Sequence, residues 1–223
     1  MSEKNAVYET STIAEMTKGI ILANFKKDDS IRETAYQSES ELERRMMENL
    51  ASQGYERLSI KSNDDLYQNL KVQIERLNNI TFTSDEWKRF LIEYLDSPND
   101  GMVEKTRKIQ ENHIHDFVFD DGHLKNIKII DKNNIHNNFL QVVNQVKQSG
   151  KSSNRYDVTI LVNGLPLVHI ELKKRGVNLH EAFNQIHRYS KESFNIENSL
   201  YKFVQIFVIS NGTYTRYFAN TTA

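Results

Sequence analysis

Apolar residues recur at helical spacing through the first half of the chain and alternate at strand spacing through much of the second. In "SESELERRMMENLASQGY", residues 38–55, Leu42, Met46 and Leu50 return every four positions and predict the buried stripe of a helix. Ser38 and Glu41 have the spacing of a capping box, and Gly54 stands where a left-handed cap would end the helix. Glu43 lies at the margin of that stripe, an unusual place for a carboxylate. Leu66, Leu70, Ile74 and Leu77 predict a second helix over 64–78. "SDEWKRFLIEYL" predicts a third, capped by Ser84, with Trp87, Phe90, Leu91 and Tyr94 on one face, before a turn at 98–101.

Shorter pieces follow. "HDFVF", "LKNIKIID" and "NFLQVVNQV" read as strands and "KQSGKSSN", 147–154, as a loop. "YDVTILVNGLPLVHIELKKRG", 156–176, is a strand, a turn and a strand. "LHEAFNQIHRYSKES" is a helix with Leu179, Ala182, Phe183, Ile186 and Tyr189 in register. "KFVQIFVIS" and "TYTRYF" are two closing strands around Asn211-Gly212, a hairpin turn signal. The first thirty-odd residues show little periodicity and read as an extended arm or a partner-contacting segment. Together these predict an α/β fold: a central mixed β-sheet flanked by helices, with a helical N-terminal portion.

The 156–176 hairpin interrupts its apolar runs with charge. Val158, Ile160 and Val162 share one face of the first strand; Val168, Ile170 and Leu172 share one face of the second. Both sets must pack on the same side of the sheet, so paired residues have an even sum, such as 158 with 170. A strict two-residue Asn163-Gly164 turn gives an odd sum, so the loop needs odd length or the hairpin needs a bulge. The same register sets Asp157 beside Glu171, with Lys173 two residues along that face.

Composition narrows the class. With 223 residues, 38% hydrophobic and 26% charged, the chain suits a folded, soluble protein rather than a disordered one. No run reaches the roughly eighteen apolar residues of a membrane span, and no basic stretch precedes the N-terminal apolar residues as in a secretory signal. No membrane partner is expected. The absence of cysteine removes disulfides and thiolate metal sites and fits a reducing cytoplasm. With 29 basic against 30 acidic residues, any nucleic-acid surface has to be local.

Two carboxylates held side by side repel unless a cation lies between them, so Asp157 and Glu171 point to a hard divalent metal on oxygen ligands, Mg²⁺ above all. The bland alternative is the solvated polar face of an edge hairpin. Gln185 and Tyr189, four apart, share one helix face near the Lys173 end of the strand; a solvent-facing Gln beside a half-buried Tyr is the competing reading. Lys173, Lys174, Arg175, Arg188 and Lys191 cluster around the same hairpin and helix, where a phosphodiester substrate needs positive charge. His113 and His115 lack the second pair that a zinc site needs.

These residues carry a resemblance. Asp157, the "IELKK" run and the Gln-x-x-x-Tyr of "QIHRY" resemble the PD-(D/E)xK nuclease superfamily in its RecB-like branch, with Tyr156 where the name expects proline. In that core's leading helix a Glu stands eleven residues before a Gly and an aromatic, a spacing that Glu43, Gly54 and Tyr55 fit. "NRYDVTILVNGLPLVHIELKKRG", "EAFNQIHRYSKESF" and "FVISNGTYTRYFANT" resemble the N-terminal part of the R (restriction, motor) subunit of type I restriction–modification enzymes, IC-like.

The resemblance implies an arm over 1–35 and an endonuclease domain over 36–223, with a helical insertion at about 62–112. It implies that Asp157 and Glu171 bind Mg²⁺ with the Leu172 main-chain carbonyl, and that Glu43 approaches the metal from its helix. Lys173 would orient or help deprotonate the attacking water. Gln185, Tyr189, Lys174, Arg175 and Arg188 would support the site or contact double-stranded DNA. The chain has no Gly-x-x-x-x-Gly-Lys-Ser/Thr loop, so ATP would belong to a motor in the full-length subunit. Target choice would belong to methylation and specificity subunits. The chain ends just after a predicted strand and so reads as the N-terminal fragment of that subunit. Two other readings stay open: a non-catalytic docking module for subunit assembly, and a free-standing RecB-like repair nuclease.

Overall fold

A computed structural model describes residues 9–15, 21–26, 38–148, 154–189 and 199–220, with side chains described over 38–146, 156–186 and 199–220. The chain divides into two units, Met1–Tyr36 and Gln37–Ala223. In the first, β1 (Glu9–Glu15) pairs antiparallel with β2 (Ile21–Lys26), and the register shifts between Thr12 and Ala14. Sequence periodicity did not reveal this strand pair.

The second unit is built on a six-stranded mixed sheet. Its strands are β3 (Glu56–Arg57), β6 (Leu140–Gln148), β7 (Asn154–Val162), β8 (Leu165–Leu172), β9 (Ile206–Ser210) and β10 (Thr215–Ala219). Across the sheet they run β10-β9-β8-β7-β6-β3; β8 with β9 and β3 with β6 are parallel and the other pairs antiparallel. β4 (Ile114–Val118) and β5 (Leu124–Lys128) were expected as strands but form a small sheet of their own.

α1 (Glu39–Ser52) covers one face of the sheet. Met47 packs fully buried on Val142, Val158, Ile170 and Leu172, and Leu42, Met46 and Leu50 line the margin half-buried. Ser38 caps the helix by accepting from the Glu41 N–H, but Glu41 does not return the bond: its carboxylate takes Arg44 and Arg45 instead. At the other end Gly54, at φ 94°, donates to the Ala51 carbonyl and Tyr55 donates to Leu50, the paired bonds of a Schellman stop.

The opposite face carries the larger core. α2 (Asn63–Asn78) contributes Leu66, Leu70 and Ile74, and α5 (Leu179–Tyr189) contributes Ala182 and Ile186. Between them run α3 (Ser84–Phe90), which widens into a π turn at Leu91–Leu95, and α4 (Met102–Gln110). Thr83, not Ser84, caps α3: its hydroxyl accepts from the Glu86 N–H while the Glu86 carboxylate accepts from the Thr83 N–H. Phe183, expected inside, is 42% exposed on α5. Residues Leu200–Phe203 form a 3-10 turn, so the predicted strand at 202 begins only at Ile206. The 147–154 loop falls largely outside the described residues, with 147, 148 and 154 in strands.

The 163–164 turn resolves the register question. Val158 pairs with Ile170 and Ile160 with Val168, as the even sum requires; a bulge between Ile160 and Leu161 then shifts pairing to Leu161 with Pro166. The bulge permits a two-residue turn, with Asn163 at φ 51° and Gly164 at φ 83°. Gly164 also meets α2 closely: a Cβ there would lie 2.6 Å from the Leu70 Cα.

Candidate functional site

β7 and β8 are interior strands, so their charged residues are not the solvated face of an edge hairpin. The β7–β8 pairing ends at Val158 and Ile170. Just past it the Asp157 side chain fills the gap, with Oδ2 accepting from the Leu172 N–H at 2.9 Å. β8 meanwhile stays paired with β9, Glu171 opposite Ile209, and the Lys173 N–H donates to the Ser210 carbonyl at 2.8 Å.

Glu171 is completely buried. Its Oε1 accepts from Lys173 Nζ at 2.9 Å. Its Oε2 lies 3.6 Å from His169 Nε2, too far for a hydrogen bond, and has no hydrogen-bond partner. Burial, and then the neighbouring Glu171 charge, push the Asp157 carboxyl up to about 7. Burial opposes the charge on Lys173, but Glu171, with Glu39 and Asp157, raises its pKa above the ordinary value. Two carboxylates therefore face one ammonium, and one buried carboxylate oxygen is unsatisfied. A cation between the carboxylates would relieve both faults.

These residues fit a hard divalent ion. Mg²⁺ keeps several waters and needs only one or two protein carboxylates. Among the described residues no three His, Cys, Asp or Glu side chains form a group that could hold a metal ion. Glu43 approaches from α1 and adds to the negative field on Asp157, but both of its oxygens are engaged: one accepts from Asn144 Nδ2, the other from Gln145 Nε2.

With this geometry in place, residues 36–223 match the family model described as type I restriction enzyme R protein N terminus. The chain belongs to this family. It is 57% identical over 214 residues to the type I restriction enzyme EcoprrI endonuclease subunit of Escherichia coli, covering 96% of this chain and 68% of that relative. The type I restriction enzyme SauMSSORF170P endonuclease subunit of Staphylococcus aureus strain MSSA476 is 38% identical over 191 residues. That match covers 83% of this chain and 20% of the relative, so the chain spans about a fifth of the staphylococcal subunit.

The chain is thus the N-terminal part of an R subunit. Its other expected site residues spread outward from the carboxylates. Lys174 is exposed, and its N–H donates to Glu39 Oε1 at 3.4 Å, tying the start of α1 to the end of β8. Arg175 opens a cleft of about 1290 Å³ that runs between the start of α5 and the β9–β10 hairpin. Arg216, His180, Phe183 and Tyr214 also line it, and among the described residues no Asp or Glu does. Gln185 is half-buried on α5, which packs against β8 and β9. The side chains of Arg188 and Tyr189, and all of Lys191, lie outside the described residues.

Sequence reasoning missed Asn144 and Gln145, the partners of Glu43. The available signal was two adjacent amides inside an otherwise apolar strand, "VVNQV".

Proposed function

We propose that this R-subunit region is a Mg²⁺-dependent endonuclease domain of the PD-(D/E)xK type that hydrolyses phosphodiester bonds of double-stranded DNA. The observation that carries the reading is the unbalanced buried cluster: Asp157 raised to about 7, and Glu171 fully buried with Oε2 unsatisfied beside Lys173. Buried carboxylate oxygens normally find a donor, and a bound cation would satisfy this one.

In this reading Asp157, Glu171 and the Leu172 main-chain carbonyl would hold the ion. When bound, Mg²⁺ supplies Lewis-acid polarisation of the phosphodiester and a lower pKa for water. Lys173 keeps its proton on Nζ, held by Glu171 Oε1, and points a fixed positive charge at the reacting phosphate and its attacking water. The Leu172 N–H orients Asp157 through Oδ2. Lys174, Arg175, Arg188, Gln185 and Tyr189 support the site and guide the DNA backbone, and the cleft beyond Arg175, with Arg216 on its wall, extends that path.

Residues 36–223 would be the endonuclease domain, the helices at about 62–112 an insertion and residues 1–35 an arm. ATP-driven translocation would come from the rest of a full-length subunit, and target choice from methylation and specificity subunits.

The test is an enzyme reassembled with R subunits carrying Asp157→Ala, Glu171→Ala or Lys173→Ala. DNA cutting is expected to fall by at least about 100-fold while ATP hydrolysis and subunit assembly persist. Retained cutting would overturn the reading and leave a docking module.

A further inference from the structure

We infer that Glu43 is a positioning residue that holds an interruption in β6 open opposite Asp157, rather than a ligand of the metal. The inference rests on the nuclease reading for its activity measurement, but its argument comes from the backbone.

β6 and β7 pair in one unbroken register on both sides of this point: Asn144 faces Val158 and Val146 faces Tyr156. The ladder skips Gln145 and Asp157, which stand opposite each other between those pairs. Gln145 there adopts φ 55°. The other non-glycine residues with positive φ, among those described, are Asn79 and Asn163, and asparagine tolerates the left-handed region through its short amide. Glutamine has no such tolerance, so something outside the strand has to hold it.

Glu43 is placed to do so. Its two carboxylate oxygens accept from the side-chain amides of Asn144 and Gln145, the residues at the skip. Glu43 is itself held by α1, whose Met47 is buried against Val142, Val158, Ile170 and Leu172. The helix thus sets the height of the carboxylate, and the carboxylate sets the turned-out amide.

The effect reaches Asp157. Freed from pairing, β7 twists out of alternation: Tyr156 and Thr159, three apart, both reach Tyr201, with ring centroids at 4.2 Å and hydroxyl oxygens at 3.1 Å respectively. Between them Asp157 turns toward β8 and accepts from the Leu172 N–H. A regular β6 would restore pairing at 157 and draw that side chain back into strand alternation. Glu43 therefore acts on the candidate metal site through Gln145.

The test uses the reassembled enzyme with R subunits carrying Glu43→Ala, Gln145→Gly, or both, over a Mg²⁺ titration. Glycine takes positive φ without steric cost, so it supplies the turned-out backbone unaided. Cutting by Glu43→Ala at saturating Mg²⁺ should fall at least about tenfold, as for a misplaced reacting group, with its half-saturating Mg²⁺ unchanged. The double variant should recover to within about threefold of the unaltered enzyme, a coupling that separate roles would not give. Failure of glycine to rescue, a roughly tenfold higher Mg²⁺ requirement, or unchanged cutting by Glu43→Ala would each overturn the inference. If Glu43→Ala does not assemble, Glu43→Gln with and without Gln145→Gly makes the same comparison. Failure of the nuclease reading shows separately, as continued cutting by Asp157→Ala.

Discussion

Two of the buried charge clusters among the described residues of the second unit differ in their balance. In the helical segment, Lys105 is fully buried on α4. Its Nζ donates to the Leu95 carbonyl at 2.7 Å and to Asp96 Oδ1 at 2.8 Å, and lies 3.4 Å from Asp100 Oδ2. Lys108 pairs with Asp100 and donates to the Tyr94 carbonyl, and the Tyr67 hydroxyl donates to Asp96. Two carboxylates meet two ammonium groups, and the hydroxyl takes a further lone pair. At the end of β8, two carboxylates meet one ammonium and a buried oxygen is left over. Both clusters carry the cost of desolvating charge. Only the first is complete within the protein, and that difference separates a structural ion cluster from a candidate ligand site.

The sharpest contrast is expected from removing one partner on each side. Lys105→Met strands Asp96 and should cost about 3–5 kcal/mol of stability, read by chemical denaturation. Glu171→Gln should do the opposite, leaving stability equal or higher because it removes the charge that repels Asp157, while cutting by the reassembled enzyme is lost. A large destabilisation by Glu171→Gln would mean that the β8 cluster is structural after all.

A divalent ion should stabilise one cluster alone. Mn²⁺ at a hundred times its dissociation constant should add roughly 2.7 kcal/mol to the unaltered chain, seen as a raised Tm, and nothing to Asp157→Asn. An equal rise in both would place the ion elsewhere.

The smallest effect concerns a fully satisfied carboxylate outside both clusters. Asp131 accepts from the Asn134 and Asn133 N–H groups, from Asn137 Nδ2 and from Lys128 Nζ. The Asn134 N–H first, then the Asn137 amide and Lys128, hold it well below the usual carboxylate range. Its folded pKa lies below its unfolded value of about 3.9, so its contribution is present above that pH and is lost as pH falls further. Asp131→Asn should lower Tm at neutral pH by a modest amount that shrinks below about pH 4. Asp157→Asn should show no such acid-side convergence.

What the sequence disclosed follows from the range of the interactions involved. α1, α2 and α5 were legible because helical stripes are local, and the β7–β8 register because both apolar sets had to share one face. Glu171 and Lys173 stand two apart on one strand and do meet, but the register stops at Val158 with Ile170, and the turn of Asp157 toward the Leu172 N–H lies past it. The skip at Gln145 was not legible: it depends on a carboxylate about a hundred positions earlier, and no local rule favours glutamine at positive φ. The cap of α3 was misplaced by one because Thr83 and Ser84 are both good cap residues, and only the reciprocal bond from Glu86 decides between them. Phe183 fits the apolar stripe of α5, but that face turns toward the open cleft beside β10.

The missing side chain at Gly164 reaches further than its own turn. It lets the backbone of α2 lie directly against the closed end of the β7–β8 ribbon, whose other end parts at Asp157. Any side chain at 164 would have to push that helix backbone away, so the turn and α2 are fixed as one packing unit.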